Sequence, residues 1–222
     1  MRILYHLPLS PFARKVRVVL AEKRLPFELR VEKVWERRPE YLEMNPACTV
    51  PTLVEDNGRV VPDSGVICEY LDEAYPDLAL MGRNVDELIE VRRLVTWFDQ
   101  KFAAEVLRNL YWEKTIKQAL GLGAPEGAAL RAGAANLKHH LLYIGWLAEH
   151  RKWLAGSQLS MADFCAAAFL SSLDFMGDVD WGTCPAAKDW YARMKCRPAF
   201  RAVLNDRVGG VTPPPHYGDL DF

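Results

Sequence analysis

The sequence predicts an α/β domain followed by a larger all-helical domain. Short segments that alternate apolar and polar residues occur only in the first third of the chain, with helical and turn segments between them. Beyond about residue 85, apolar residues recur at steps of three and four, the spacing of helices that pack in a bundle. We therefore expect an α/β domain over residues 1–76, a linker over 77–85, an all-helical domain over 86–208 and an extended, Pro-rich tail over 209–222.

The N-terminal region predicts the element order β-α-β-α-β-β-α. Its strands are expected at Arg2–His6, Phe27–Val31, 50–55 and 60–61, and its helices at residues 12–24, in a short segment ending near Asn45, and from Asp63-Ser64 to about Tyr75. The first helix and its flanking strands make a βαβ unit, which should be right-handed and parallel. Asn57-Gly58 predicts a hairpin between the last two strands, because this pair readily takes positive φ.

The second region contains only helical patterns. Two long helices are separated by a Gly- and Pro-containing break at residues 121–127, and two shorter helices are expected at about 185–195 and 198–206. Between these pairs, Ser160 and Asp163 have the spacing of a capping box and precede a strongly apolar segment. We expect these two side chains to be structural caps of that helix.

Composition and charge exclude several classes of protein. Half of the 222 residues are hydrophobic and the formal net charge is -1, so neither nucleic acid nor an anionic membrane is an expected partner. No apolar run is long enough to insert in a bilayer, and no signal segment follows Met1, so we expect a cytoplasmic protein. The five cysteines are scattered without a CxxC pair, which predicts no metal site, no disulfide framework and no redox centre in the first loop.

Four stretches, in this order and at these intervals, resemble the glutathione S-transferase superfamily. They are residues 10–17 at the first loop-helix junction, residues 50–53 around a cis-proline turn, the pair Asp63-Ser64, and residues 160–163 at the cap of the helical domain. The resemblance extends to about residue 210. It implies a thioredoxin-like N-terminal domain joined to an all-helical domain, the glutathione-transferase fold.

The same resemblance implies a glutathione site, whose expected residues are Ser10, Lys33, Val50, Pro51, Asp63 and Ser64. Ser64 at a helix start suits a carboxylate of the peptide, and the backbone before a cis Pro51 suits its cysteinyl unit. Ser10 would lower the pKa of the thiol, making it the catalytic residue of a Ser-type transferase that conjugates glutathione to a small electrophile. Such an enzyme needs no further cofactor. Each residue also has a purely structural explanation, Ser64 as a helix cap and Pro51 as a feature of the fold.

Two other features favour a binding role. Trp35 lies in a charged connection with Arg37 and Arg38, and is either a flank-packing residue or an anchor for a protein partner. The tail holds Tyr217, Asp219 and Phe222 after three prolines, which predicts a stiff docking segment that projects from the body; the alternative is a frayed end or a strap folded onto the helices.

These features resemble a branch of the family that acts in alphaproteobacterial cell division and binds FtsZ filaments. That resemblance implies a homodimeric, non-catalytic adaptor at the division site that promotes filament curvature and constriction. We expect Trp35, Arg37, Arg38 and the three tail residues to contact FtsZ or another division protein. The adaptor is our leading hypothesis, and the Ser-type transferase is the alternative.

Overall fold

A computed structural model describes residues 1–220. The N-terminal domain contains four strands, β1 Arg2–His6, β2 Phe27–Val31, β3 Thr52–Val54 and β4 Val60–Pro62, arranged in one sheet in the order β2-β1-β3-β4. β1 and β2 are parallel and are connected by helix α1 (Pro11–Glu22), so the predicted βαβ unit is confirmed. The pairs β1-β3 and β3-β4 are antiparallel.

Short helices complete this thioredoxin-like domain. A 3₁₀ turn at Val34–Glu36 precedes helix α2 (Pro39–Met44), and helix α3 (Ser64–Ala74) follows the β3-β4 hairpin. The hairpin turns where predicted, because Gly58 takes a φ of 84° and its N–H donates to the Glu55 carbonyl at 3.0 Å.

The helical domain begins with helix α4 (Val85–Thr96), which continues with π-type hydrogen bonding over Trp97–Leu107 and, after a turn, over Trp112–Ile116. The remaining helices are α5 (Lys117–Ala119), α6 (Gly127–His150), α7 (Met161–Phe175), α8 (Pro185–Lys195) and α9 (Arg201–Leu204). Every residue of α7 is buried, so this helix is the centre of the bundle. The predicted fold class, an α/β thioredoxin-like domain plus an all-α bundle, is confirmed.

The two domains meet where α1 packs on α7. Three basic residues of α1, Arg14, Lys15 and Arg17, are buried at this contact. A buried charge is tolerated only when it is paired and hydrogen-bonded. Each of these three side chains meets a carboxylate of the helical domain, which explains why the helix can bury them.

The described part of the C-terminal tail does not project from the body, so that expectation is wrong. Residues 213–220 fold back onto the bundle, with a 3₁₀ turn at Pro215–Tyr217, and the ring of Tyr217 is only 1% exposed. The reason is that Tyr217 buries its ring against Phe175, edge to face at 5.1 Å between centroids. Phe222 lies outside the described residues.

Neither a membrane span nor a metal cluster is found among residues 1–220. No helix there has the length and apolar character needed to cross a bilayer. No group of three or more His, Cys, Asp or Glu side chains in that range is arranged to hold a metal ion.

Candidate functional site

The sheet brings the predicted glutathione-site segments to one of its ends. Tyr5 pairs with Thr52, and Thr52 pairs with Pro62. These pairings bring the end of β1, the start of β3 and the end of β4 to the same end of the sheet. The loop to Ser10, the cis Val50–Pro51 bond and Asp63 adjoin these three strand ends. The family resemblance implied a cis bond before Pro51, and the strand pairing brings that bond and the start of α3 to one end of the sheet.

Ser10 is the N-cap of α1. Its hydroxyl oxygen accepts from the Ala13 N–H at 3.3 Å, its N–H donates to the Leu7 carbonyl at 3.0 Å, and the residue is buried. A hydroxyl that caps a helix satisfies one of the unpaired amides of the first turn. The Ser10 side chain therefore has a structural task in this fold whether or not a thiol approaches it.

Asp63, and not Ser64, supplies the side-chain cap of α3. Its carboxylate oxygen Oδ1 accepts from the N–H groups of Gly65, at 2.7 Å, and Val66, at 3.2 Å, while Ser64 is the first residue of the helix. The expectation that the Ser64 hydroxyl caps the helix is wrong, because Asp63 has the non-helical backbone of the N-cap position and Ser64 is already helical. Asp63 adopts a φ of 70°, which is unusual for a residue with a side chain.

A second carboxylate approaches the same helix end from the other domain. Both oxygens of Asp99 accept from the Lys15 ammonium at 2.7 Å, and Asp99 Oδ2 lies 3.9 Å from where a Cβ on Gly65 would stand. Burial alone would lower the pKa of Lys15, but the paired carboxylate holds that pKa above its ordinary value. The start of α3 therefore faces the Asp63 carboxylate and, farther off, an Asp99 carboxylate whose charge is balanced by Lys15.

The remaining glutathione-site residue, Lys33, is exposed and forms an ion pair with Glu36 at 3.3 Å. Beside α1, an apolar cavity of about 410 Å³ lies between the domains, lined by Phe12, Ala103, Leu107, Arg108, Tyr111 and Trp112. This cavity offers room for a small apolar molecule near Ser10.

The cluster around Trp35 forms a separate surface. Trp35 is half-buried in the 3₁₀ turn, Arg37 follows it with a φ of 46° and is exposed, and Arg38 forms an ion pair with the buried Glu32 at 2.6 Å. A groove of about 310 Å³ runs past the Trp35 ring. The residues that line this Trp35 groove include Leu7, Leu9, Trp35, Tyr111, Val208 and Val211. Trp35 therefore forms part of the wall of a depression.

The predicted capping box is confirmed. Both the N–H and the hydroxyl of Ser160 donate to Asp163 Oδ2 at 3.1 Å, and Asp163 Oδ1 accepts from the Leu154 N–H and the Trp190 indole N–H. Burial raises the pKa of Asp163, although these four donors favour the charged form. The pair is structural, as expected.

Comparison with known proteins now decides the family. Family models of the glutathione S-transferase N-terminal domain and C-terminal domain match residues 4–79 and 122–198. The chain belongs to the glutathione S-transferase family. Among its relatives, FtsZ-localized protein A of Caulobacter vibrioides is 46% identical over 224 residues, which cover 100% of this chain and 98% of the relative.

Two solved structures of this family resemble the chain over its whole length. A glutathione S-transferase from Rhodospirillum rubrum F11 is 50% identical with a TM-score of 0.96, covering 100% of both chains. FzlA from C. crescentus is 47% identical with the same TM-score of 0.96, covering 100% of this chain and 99% of the other. Members of the glutathione S-transferase family with different names therefore share this fold almost without deviation, and fold alone does not separate their functions.

Proposed function

We propose that this chain is an adaptor of bacterial cell division, without a catalytic role of its own, that binds FtsZ filaments and promotes their curvature and constriction. The observation that carries the proposal is its full-length similarity to FtsZ-localized protein A, at 46% identity. The aligned region covers 100% of this chain and therefore spans both domains and the tail. Such a protein would act in the cytoplasm at the division site.

The Trp35 groove is the surface we assign to the filament. Trp and Arg side chains contribute most of the binding energy in many interfaces, and here a half-buried Trp35 lies beside an exposed Arg37 at the edge of an apolar depression. Arg38 contributes less, because its guanidinium already pairs with Glu32. In the tail, Asp219 is exposed and can contact a partner, whereas Tyr217 is buried and cannot.

Co-sedimentation with GTP-assembled FtsZ filaments tests this assignment. Trp35→Ala should weaken binding by about tenfold or more, because it removes a large aromatic anchor from the groove. Trp153→Ala is the matched control, since Trp153 is also half-buried but does not line the groove. Equal binding by both variants and the parent chain would refute the groove, and absence of pelleting by the parent chain at micromolar concentration would refute the adaptor.

We propose further that the adaptor is a homodimer formed through the faces of α3, α4 and α6. Large apolar side chains are exposed there, with Val66 56%, Ile89 59% and Trp146 50% accessible. Ion pairs and hydrogen bonds join the helices into one surface, from Glu69 to Arg92 and from Arg93 to the Tyr143 hydroxyl. A two-fold dimer would carry two Trp35 grooves and could bridge or bend neighbouring filaments.

Light scattering after size-exclusion chromatography tests the dimer. The parent chain should elute with twice the mass of one chain, and Ile89→Asp should yield monomers because it places a charge in an apolar interface. Val31→Asp is a suitable control, since Val31 is exposed on the edge strand β2. A monomeric parent chain, or a dimer insensitive to Ile89→Asp, would refute this interface.

The second candidate is a Ser-type glutathione S-transferase, favoured by the positions of Ser10, Pro51 and Ser64 at one end of the sheet. It is weaker because the Ser10 hydroxyl caps α1 and Asp63 occupies two first-turn amides of α3. Calorimetry with glutathione, combined with turnover of a chloronitrobenzene, separates the candidates. Binding with turnover that Ser10→Ala abolishes would establish the enzyme.

A further inference from the structure

The C-terminal strap, residues 213–220, connects to the Trp35 groove through one buried arginine. Arg14 Nη1 donates to the Tyr217 hydroxyl at 3.0 Å, although the two residues lie 203 positions apart in the chain. The same hydroxyl donates to the Val203 carbonyl at 3.3 Å. Tyr217 is thus held by polar contacts with both domains, in addition to its packing on Phe175.

Arg14 Nη1 also donates to the Ser171 carbonyl at 2.9 Å and hydroxyl at 3.1 Å, while two other donors of Arg14 reach the walls of the groove. Its Nε donates to the Pro8 carbonyl at 2.9 Å, inside the loop that contributes Leu7 and Leu9 to the groove. Its Nη2 donates to Asp206 Oδ2 at 3.0 Å, two residues before the wall that starts at Val208. The planar guanidinium holds its donors in a fixed geometry, so these contacts set the separation of the two walls.

Apolar packing also connects Tyr217 to the Trp35 groove. Leu9, Phe175, Leu204 and Tyr217 form a small apolar cluster of their own, distinct from the main core. Tyr111, Val208 and Val211 pack against that cluster and line the groove as well. The ring of Tyr217 therefore supports the groove from below, while its hydroxyl is bonded to the arginine that spaces the walls.

We propose that the strap is a positioning element of the Trp35 groove: Tyr217, acting through Arg14, keeps the 7–9 loop and the 208–211 turn in the arrangement that a partner segment enters. This inference rests on the proposed function, in that the groove is the surface that meets FtsZ. Tyr217 itself does not touch the partner, because its ring is buried beneath the groove. Loosening the strap would change the shape of the groove and leave Trp35 in place.

Tyr217→Phe isolates the effect, because it removes only the hydroxyl and keeps the ring in the cluster. Tyr75→Phe is a matched control, since the Tyr75 hydroxyl also accepts from an arginine, Arg2 at 2.5 Å, but at the opposite end of β1. Hydrogen exchange reports on the walls directly through two amides, Ser10 N–H bonded to the Leu7 carbonyl and Val211 N–H bonded to the Val208 carbonyl. We expect faster exchange at both amides in Tyr217→Phe and unchanged exchange there in Tyr75→Phe.

Binding to GTP-assembled FtsZ filaments is then measured for Tyr217→Phe, Trp35→Ala and the double variant. We expect Tyr217→Phe to weaken binding by about fivefold, because a loosened groove must be ordered again when the filament binds. The lost buried hydrogen bond should also lower the melting temperature by about 2–4 °C. The double variant should lose less affinity than the product of the two single losses, because both act on one groove.

The possible results separate the two ideas. If Trp35→Ala binds as the parent chain does, the groove is not the docking surface and the inference falls with it. If Trp35→Ala weakens binding while Tyr217→Phe does not, the proposed function stands and the positioning role of the strap is overturned. Weaker binding by Tyr217→Phe without faster exchange at the two wall amides, or with strictly multiplicative losses in the double variant, also overturns that role.

Discussion

Burial of His6 should make the stability of the protein fall at low pH, and this effect can be measured. It is buried at the end of β1, and burial together with the nearby Arg17 lowers its pKa to about 4. An unfolded histidine titrates near pH 6.5. Between these two values the unfolded chain binds a proton that the folded chain does not, so the free energy of unfolding must fall as the pH is lowered through this window.

The size of this effect follows from the two pKa values. Each pKa unit corresponds to about 1.4 kcal/mol, and integration from pH 8 down to pH 4 gives a loss of about 3 kcal/mol from His6 alone. The groups that face the ring are Arg17, Arg14 and Asp206, and of these Asp206 acts in the opposite direction by favouring the charged imidazole. The loss is large beside the total stability of an ordinary domain.

Urea unfolding of the parent chain and of His6→Gln at pH 4 to 8 measures the effect. His6→Gln carries a constant cost of its own, but it cannot take up a proton in this range. The stability difference between the two proteins should therefore change by about 3 kcal/mol across the series, in favour of the variant at low pH. A difference that stays constant from pH 8 to pH 4 would refute the assignment of His6 as a buried, neutral imidazole.

Three further predictions concern stability and are all measured by urea unfolding at pH 7. Asp163→Asn should lower the free energy of unfolding by about 3 kcal/mol, because an amide replaces one of two oxygens that together accept four hydrogen bonds. Gly145→Ala should destabilise by about 1–3 kcal/mol, since the new Cβ would lie 2.2 Å from Cys184 Sγ. Asp63→Ala should cost about 1 kcal/mol through loss of the α3 cap.

Each of these has a control and a contradicting outcome. Adding Cys184→Ala should recover most of the Gly145→Ala loss, and failure to do so would exclude the sulfur clash as its cause. Asp63→Asn keeps an oxygen acceptor and should lose less than Asp63→Ala; equal losses would argue against capping. If Asp163→Asn leaves the free energy of unfolding unchanged, the capping box contributes little to the stability of the folded state.

Much of the fold could be predicted because the relevant signals are local. Alternation gives the strands, the Asn57-Gly58 pair gives the hairpin, and the Ser160-Asp163 spacing gives the cap, all within a few residues of one another. The predicted β3-β4 hairpin also implies that the Val50–Pro51 bond lies beside the start of α3, because antiparallel pairing brings both to one end of the sheet. The choice of Ser64 as the cap failed because two neighbouring residues could each serve, and only backbone geometry decides between them.

The sequence by itself determined the order of the elements, the nature of the two domains and the capping box of α7. Tertiary structure alone decided that Tyr217 lies inside and not at the tip of a projecting tail, and that Arg14 joins it to the loop before α1. The physical reason is distance along the chain: periodicity and capping act over one or two turns, whereas the burial of a ring or a guanidinium depends on partners supplied by another domain. Those partners exist only once α1 has packed on α7.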